Sequence, residues 1–444
     1  MVLDSTSYRL RAYRNEDREA CLALFDGNVP KYFAIEERQD FVSFLEKLPG
    51  PYFVMVNEQE EVVACGGYAT SEKNRELAVL CWGMVRRDLH RHGVGTQLLE
   101  ERLRLIAAEP HLSIVMIETS QHSCGFFERF GFMVKRVVPN GFAQGLDLVE
   151  MKLELLTQVV RTSCPELALN TVEPINAGQN SYILLINSEW VFRFPKYEAG
   201  VRQLSREAAI LDLIADRVPL EVPRPVYRNA DASASARPFI GYRKIEGEPL
   251  DAELLQQIGD EVIVRRLAGQ LAEFLRELHR VNTDELLLEE RQNYNAYAEW
   301  AELYERIQTK LYPHLKPDAR KWTEQHFQAF LASEAGTRIV PTLIHGDFGT
   351  TNILYDATSQ QISGILDFGS AGLGDPAVDY AALRASYGEH FFQFLVNENP
   401  QLSALMDRVL FYQGTFALQE ALFGLENGDE EAFRAGIDAA NARV

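Results

Sequence analysis

Val340 to Leu383 of this 444-residue chain read VPTLIHGDFGTTNILYDATSQQISGILDFGSAGLGDPAVDYAAL. Within that stretch NILYD and QQISGILDF alternate like two short strands, and the turn-rich ATSQ joining them predicts a hairpin. Such a hairpin carries Asn352 and Asp367 to neighbouring positions, with Asp347 just ahead of them. Phosphoryl transfer from a nucleotide calls for this set: one carboxylate orients an acceptor hydroxyl and takes its proton, while an amide oxygen and a second carboxylate hold Mg²⁺ on the phosphates. The plainer reading is a loop of Asp, Asn and Gly, the usual turn formers. The joint spacing favours the catalytic one.

The segment resembles the catalytic core of the aminoglycoside phosphotransferase and choline kinase family. Its HxDxxxxN motif stands here as His345 to Asn352, and its DFG-like motif as Asp367, Phe368 and Gly369. The resemblance implies a bilobal protein-kinase-like fold, ATP or GTP as phosphoryl donor, Asp347 as the catalytic Asp, and Asn352 and Asp367 as Mg²⁺ ligands. A kinase also needs a fixed cation on the phosphates and a glutamate to pair with it. Upstream, NAGQNSYILLINSEWVFRFPK reads as a small-residue turn from Asn176 to Ser181, a strand, the turn Asn187-Ser188, and a second strand ending at Arg193. By the resemblance Asn180 and Ser181 belong to the nucleotide-binding turn and Arg193 takes the place of the cation, although Arg differs from Lys in reach and donor geometry. Glu207, in the helical pattern QLSREAAILDLIA, is its implied partner; the plainer reading is a solvent-facing helix glutamate. PFIGYRKIEGEPL resembles the strand and hinge between lobes, so Phe239 to Glu246 should border the base pocket.

Residues 261 to 281 place Leu267, Leu271, Phe274, Leu275 and Leu278 on one helical stripe, which is core. His279 resembles the histidine that closes this helix in the family and is expected to be structural. Asp375 and Asp379, in GDPAVDY, are expected to support the catalytic loop through hydrogen bonds.

The first third carries another signature. After the apolar run LAVLCWGMV come two arginines and HRHGVGTQLLEERLRLI, a glycine-bearing turn that opens an amphipathic helix. Free backbone N–H groups at such a helix start, unobstructed at Gly93 and Gly95, suit a pyrophosphate. Dinucleotide-binding folds use a similar turn, but the acidic residue they place after the next strand is missing and FFERFGF (Phe126 to Phe132) appears instead. That pair resembles the GNAT acetyltransferases over about residues 7 to 155. It implies acetyl-CoA held by Val85 and by Arg91, His92, Gly93, Val94, Gly95 and Thr96. Two departures stand out. His90 occupies the place where the coenzyme motif usually begins with Gln or Arg, and Phe127 stands where many members have a Tyr that returns a proton to the coenzyme A thiolate. Phe cannot donate, which lowers the expected rate without excluding the chemistry. Glu118 is a candidate for activating the amine, against the plainer reading of an outward-facing strand glutamate. Trp82, Tyr32 and Phe33 are either an acceptor pocket or core.

The formal charge of −20 is uneven: residues 1 to 155 hold 23 acids and 18 bases, the remainder 41 and 26. Such a field disfavours nucleic acid and anionic membranes and draws cationic small molecules. Five scattered cysteines without metal-ligand spacing favour free thiols and a reducing compartment. With no signal-like or membrane-spanning run, the expected location is cytoplasmic. The expectation is an α+β, two-domain transferase: a GNAT-type mixed sheet with flanking helices over 1–155, a linker over 156–164, and a bilobal kinase-like fold over 165–444.

Overall fold

The computed structural model describes residues 8–175, 181–229, 237–283, 286–333 and 339–443. The chain divides into two compact units, residues 1–204 with 226–241 and residues 205–225 with 242–444.

The first unit begins with β1 (Arg9–Ala12), α1 (Arg18–Asn28), α2 (Arg38–Lys47), β2 (Tyr52–Val56), β3 (Val62–Thr70), β4 (Leu77–Val85), α3 (Val94–Ala108), β5 (Ile114–Ser120), α4 (Cys124–Glu128), β6 (Met133–Ala143) and β7 (Leu146–Glu154). These strands form one seven-stranded sheet in the order β1-β2-β3-β4-β5-β7-β6. Neighbours are antiparallel except β4 and β5, whose parallel pairing runs only from Leu77↔Ile114 to Val79↔Met116. Both strands continue beyond that point, so the sheet opens into a wedge between them. Period-two alternation sorts the faces: Val54 and Val56 of β2 join Phe25 and Phe41 of α1 and α2, while Met55 joins Val94 and Leu98 of α3.

The unit continues with α5 (Leu155–Ser163), β8 (Val172–Ile175), β9 (Ser181–Ile186), β10 (Trp190–Pro195), the first residues of α6 (Glu198–Ile214), which from Ser205 onward belongs to the second unit, β11 (Tyr227–Asn229) and β12 (Phe239–Arg243). The strands make a five-stranded sheet, order β11-β12-β10-β9-β8. The segment expected to link the domains is helix: Leu156, Val159, Val160 and Cys164 pack with Leu184, Ile186, Trp190, Phe192 and Phe239 in one buried cluster. Each such side chain contributes roughly 1.5–3 kcal/mol, so α5 belongs to the core of the second sheet.

In the second unit, β13 (Glu248–Pro249), α7 (Ala252–Ile258), α8 (Glu261–Arg280), α9 (Leu288–Asn293), α10 (Ala296–Lys310) and α11 (Pro317–Leu331) precede β14 (Thr342–Ile344), β15 (Ile353–Asp356), β16 (Gln361–Ile365) and β17 (Gly372–Gly374); α12 (Ala377–Glu398, broken at Gly388), α13 (Met406–Asn427) and α14 (Glu430–Ala442) follow. The expected stripe of α8, Leu267 to Leu278, is fully buried in the large helical core. The expected hairpin forms as β15 and β16, paired from Ile353↔Ile365 to Asp356↔Gln361. No helix among the described residues is long and apolar enough to cross a membrane.

Candidate active sites

The hairpin brings the metal-ligand candidates together. Asn352 precedes β15 and Asp367 follows β16, and Leu366 N donates to Asn352 O at 2.8 Å, closing the hairpin's open end. The Asn352 amide donates to Asp347 twice, to its main-chain oxygen at 2.8 Å and to Oδ2 at 3.1 Å. That orientation leaves the Asn352 amide oxygen available for a cation. Asp367 adopts a left-handed backbone (φ 57°), and its Oδ1 accepts from Gly369 N at 3.3 Å. An amide oxygen beside a carboxylate is a hard oxygen pair of the kind Mg²⁺ takes together with nucleotide phosphates.

A buried clamp fixes the loop that carries Asp347. Fully buried Asp379, in the first turn of α12, accepts from His345 N (3.0 Å), Gly346 N (2.9 Å) and His279 Nε2 (2.9 Å). Burial alone would raise its pKa, but the His279 hydrogen bond and the nearby His345 hold it below the ordinary carboxylate range. His345 lies within 2.9 Å of Leu366 O through Nε2, so that nitrogen carries the proton and Nδ1 is free to accept from Asp347 N at 3.3 Å. Gly346 has φ +80°, and a Cβ there would lie 2.5 Å from Ser370 O. His279 is therefore structural, as expected. Asp375 accepts from Ala377 N (3.0 Å) and from Tyr412 OH (2.7 Å), with Arg408 Nε at 2.8 Å, so it anchors the start of α12 and not the loop itself.

In front of Asp347 lies a cleft of about 330 Å³ walled by Val378, Ala382, Ser386, Phe416 and Gln419. Asp347 is the carboxylate among its described lining residues. Three acids of the last helices are engaged elsewhere: Glu426 pairs with Arg306 and with Lys310 (2.7 Å), Asp429 caps α14, and Glu430 pairs with Arg434.

Arg193 lies on β10 in the first unit, opposite Ile183 of β9, and Ser181 opens β9 opposite Pro195. Asn180 lies outside the described residues. Glu207, on α6 in the second unit, is buried at 3% exposure, which removes the solvent-facing reading.

In the first domain β4 ends at Val85, whose carbonyl accepts from the Asn28 amide (2.9 Å) and from His90 Nε2 (2.9 Å). The turn then passes through Arg91 (φ 65°) and Gly93 (φ 87°) into α3. Gly93 adopts a left-handed backbone at the start of α3, whose first N–H groups have no partner within the helix, and a Cβ on Gly95 would stand 3.6 Å from Val85 and 3.8 Å from Phe126. Thr96 follows in the same first turn, and His92 is exposed. Phe127 is buried against Phe132 and Phe126. Glu118 is exposed on β5 opposite Glu150, outside any hydrogen-bonded cluster among the described residues. Trp82 and Phe33 stack within the aromatic core beside Phe25 and Phe41, whereas Tyr32 stands apart with its ring edge-on to His90 (5.3 Å) and His122 (6.3 Å), which follow β4 and β5. Tyr32 thus spans the mouth of the wedge. Cys124, 3.6 Å from Glu128, has its thiol pKa raised by burial and by that carboxylate, the reverse of a nucleophile's environment.

Arg102 was not legible as special in the sequence. It is 2% exposed, its guanidinium lies within 3.0 Å of where a Cβ on Gly66 or Gly83 would be, and Nη1 finds no hydrogen-bond partner among the described residues. Burial lowers its pKa to about 10.

Residues 171–408 match the Phosphotransferase enzyme family. The chain belongs to that family. Residues 33–155 match the Acetyltransferase (GNAT) domain. Viomycin phosphotransferase of Streptomyces vinaceus is 27% identical over 267 residues, 59% of this chain and 90% of that protein. Among solved structures, the GDP and kanamycin complex of APH(2")-IIia is 30% identical and covers 64% of this chain and 96% of its own, with a TM-score of 0.59. The GDP complex of wild-type aminoglycoside 2'-phosphotransferase-IIIa is 28% identical, covers 65% and 98%, and has a TM-score of 0.60. The protein is a transferase with a phosphotransferase domain and a GNAT acetyltransferase domain, and its bilobal, kinase-like second half has the fold that the sequence motifs imply.

Proposed function

We propose that the second domain, residues 165–444, transfers the γ-phosphoryl group of ATP or GTP to a hydroxyl of a small aminoglycoside-type acceptor, and that the first, residues 1–155, transfers an acetyl group from acetyl-CoA to an amine. The observation that carries the first part is the convergence of Asp347, Asn352 and the hairpin end at Asp367 under the Asp379 clamp. Asp347 orients the acceptor hydroxyl and takes its proton as the acceptor oxygen bonds to the γ-phosphorus and the bond to the bridging oxygen breaks, releasing the nucleoside diphosphate. Arg193 grips the phosphates, Glu207 steadies that cation, and Ser181, with Asn180, approaches the nucleotide. Asn352 and Asp367 would hold Mg²⁺, which would supply charge neutralisation on the phosphates. That a viomycin enzyme and a kanamycin-bound enzyme are relatives supports an antibiotic-like acceptor, and the acidic balance of the second half favours a cationic one.

In the first domain the amine attacks the thioester carbon, the C–N bond forms, the C–S bond breaks, and coenzyme A leaves as thiolate. The α3 start receives the pyrophosphate. Phe127 cannot return the proton, so water does, and exposed Glu118 takes the amine's proton through solvent. Both co-substrates are made in the cytoplasm, where we place the protein.

The walls of the cleft favour a second reading of the acceptor. Val378, Ala382 and Phe416 offer apolar surface and Gln419 a neutral amide, which suits a hydroxylated acceptor with few charges near the reacting oxygen, such as a macrolide. Mg²⁺-dependent transfer from ATP and from GTP to aminoglycosides, macrolides, choline and sugars, read by product mass, tests both. Phosphorylated aminoglycoside supports the leading reading, a phosphorylated macrolide alone the second, and no product from any acceptor sinks both.

A further inference from the structure

The acetyltransferase domain and the strands β8 to β12 that form the nucleotide lobe are fastened together by a buried polar clasp. The turn between α3 and β5 presents three successive carbonyls, at Pro110, His111 and Leu112. The Arg237 guanidinium donates to the first and third, and Tyr182 OH donates to the second at 2.8 Å. Arg237 is 1% exposed and lies 5.3 Å above the Tyr182 ring, and its second terminal nitrogen reaches Pro195 O at 3.4 Å. Glu76 lies close enough to act electrostatically on both side chains and anchors the same turn, its carbonyl accepting from Ser113 N and Ile114 N. Leu155 N, at the start of α5, donates to Ser113 O at 3.0 Å, and α5 then fills the core of the nucleotide lobe.

Such a clasp is costly to leave half-made. A buried guanidinium loses its water, which lowers the Arg237 pKa to about 10, and three backbone carbonyls lose their solvent when covered. An arrangement of this kind persists only if the surfaces separate rarely. Its position also matters for binding. Tyr182 pairs with Phe194 on β10, one residue from Arg193, and follows Ser181 directly. At the other end, α3 runs 15 residues, about 22 Å, from the clasped turn to its start at Val94, where the coenzyme pyrophosphate is expected.

We propose that the acetyltransferase domain and the nucleotide lobe are one cooperative unit, and that coenzyme bound at the start of α3 is thereby linked to nucleotide bound beside Arg193. The linkage half rests on the acetyl-CoA reading above; the cooperative-unit half does not. By reciprocity, each ligand changes the other's affinity by the same factor.

The test uses the full chain and two probes, coenzyme A and GTP with Mg²⁺ (ATP if GTP does not bind), titrated by calorimetry alone and in each other's presence. In wild type, saturating coenzyme A is expected to change the nucleotide dissociation constant about fivefold or more, with the same factor in reverse. Tyr182→Phe keeps the ring beneath Arg237 and removes the hydroxyl that bonds His111; it is expected to bring the factor below about twofold while each ligand alone binds as in wild type. Arg237→Lys serves as a second variant. A wild-type factor of one, or one that survives both substitutions, overturns the linkage. If coenzyme A does not bind at all, the acetyl-CoA reading has failed and hydrogen exchange of ligand-free wild type decides the rest. Slowest amides of β9 and β10 that open with the same free energy as those of β5 and β7 support the single unit, and separate opening overturns it.

Discussion

Replacing Asp379 with Asn removes one oxygen from a position where three donors converge. Oδ2 accepts from His345 N and His279 Nε2, and Oδ1 from Gly346 N. The amide of Asn can keep one of these oxygens and must aim its NH₂ group at the donor that used the other. In the better orientation Gly346 N is left buried and unpaired, at a cost of about 1–3 kcal/mol, and the two surviving bonds fall from charge-assisted to neutral strength, losing about 1 kcal/mol each. The total is roughly 3–5 kcal/mol, concentrated on the two residues that precede Asp347. Because 1.4 kcal/mol is tenfold, even the lower figure displaces the loop enough for kcat to fall about 100-fold. Nucleotide affinity, which does not depend on these three bonds, is expected to change less than about threefold. The assay is steady-state phosphorylation with thermal unfolding as a companion, and a variant with kcat within threefold of wild type refutes the clamp. The same carboxylate carries a pH signature. Its folded-state pKa is depressed below the ordinary value, so the folded form binds protons less readily than the unfolded one, and the stabilisation it gives is present above the ordinary carboxylate pKa of about 3.9 and lost as pH falls through the folded value. Acid unfolding of Asp379→Asn is therefore expected to be flatter than that of wild type.

Gly346→Ala should be nearly as damaging as the loss of Asp379, because its Cβ would lie 2.5 Å from Ser370 O and φ is +80°; activity retained to within tenfold, with unchanged unfolding temperature, contradicts the geometry. Arg102→Met is expected to raise the unfolding temperature of the first unit, since it removes a buried cation that lacks a full set of partners and keeps apolar bulk over Gly66 and Gly83. With its folded-state pKa lowered to about 10, well below the ordinary guanidinium value, Arg102 penalises the fold on the order of 3 kcal/mol at neutral pH and less as pH rises above that folded value, so the advantage of Met over Arg should shrink in alkali; a lower unfolding temperature for the variant at neutral pH reverses the assignment.

What could be read from the residues, and what could not, follows from the range of the interactions involved. The β15–β16 hairpin and the stripe of α8 depend on neighbours no more than twelve residues apart, and the local pattern carries them. The same is true of the helix opening at Val94. Glu207 is ambiguous locally, since a helix surrounds it with both polar and apolar neighbours; only the packed structure shows it buried. Glu118 alternates correctly for a strand but falls on the exposed side. Residues 155 to 163 carry apolar side chains at 155, 156, 159 and 160, an amphipathic pattern short enough to pass for a tether, and the sheet it covers begins farther along the chain. Arg102 and Arg237 had no local signal. Their burial depends on the glycines across β3 and β4 in one case and on a turn 125 residues away in the other.

In the proposed function Asp347 is the base of a phosphoryl transfer whose nucleotide is held by other residues. Asp347→Ala, assayed by product mass with the best acceptor of the panel and by calorimetry with nucleotide and Mg²⁺, tests it directly. Phosphorylation is expected to fall at least about 10³-fold below wild type, with the nucleotide dissociation constant changed by less than about fivefold. Turnover near the wild-type rate would remove Asp347 from that role.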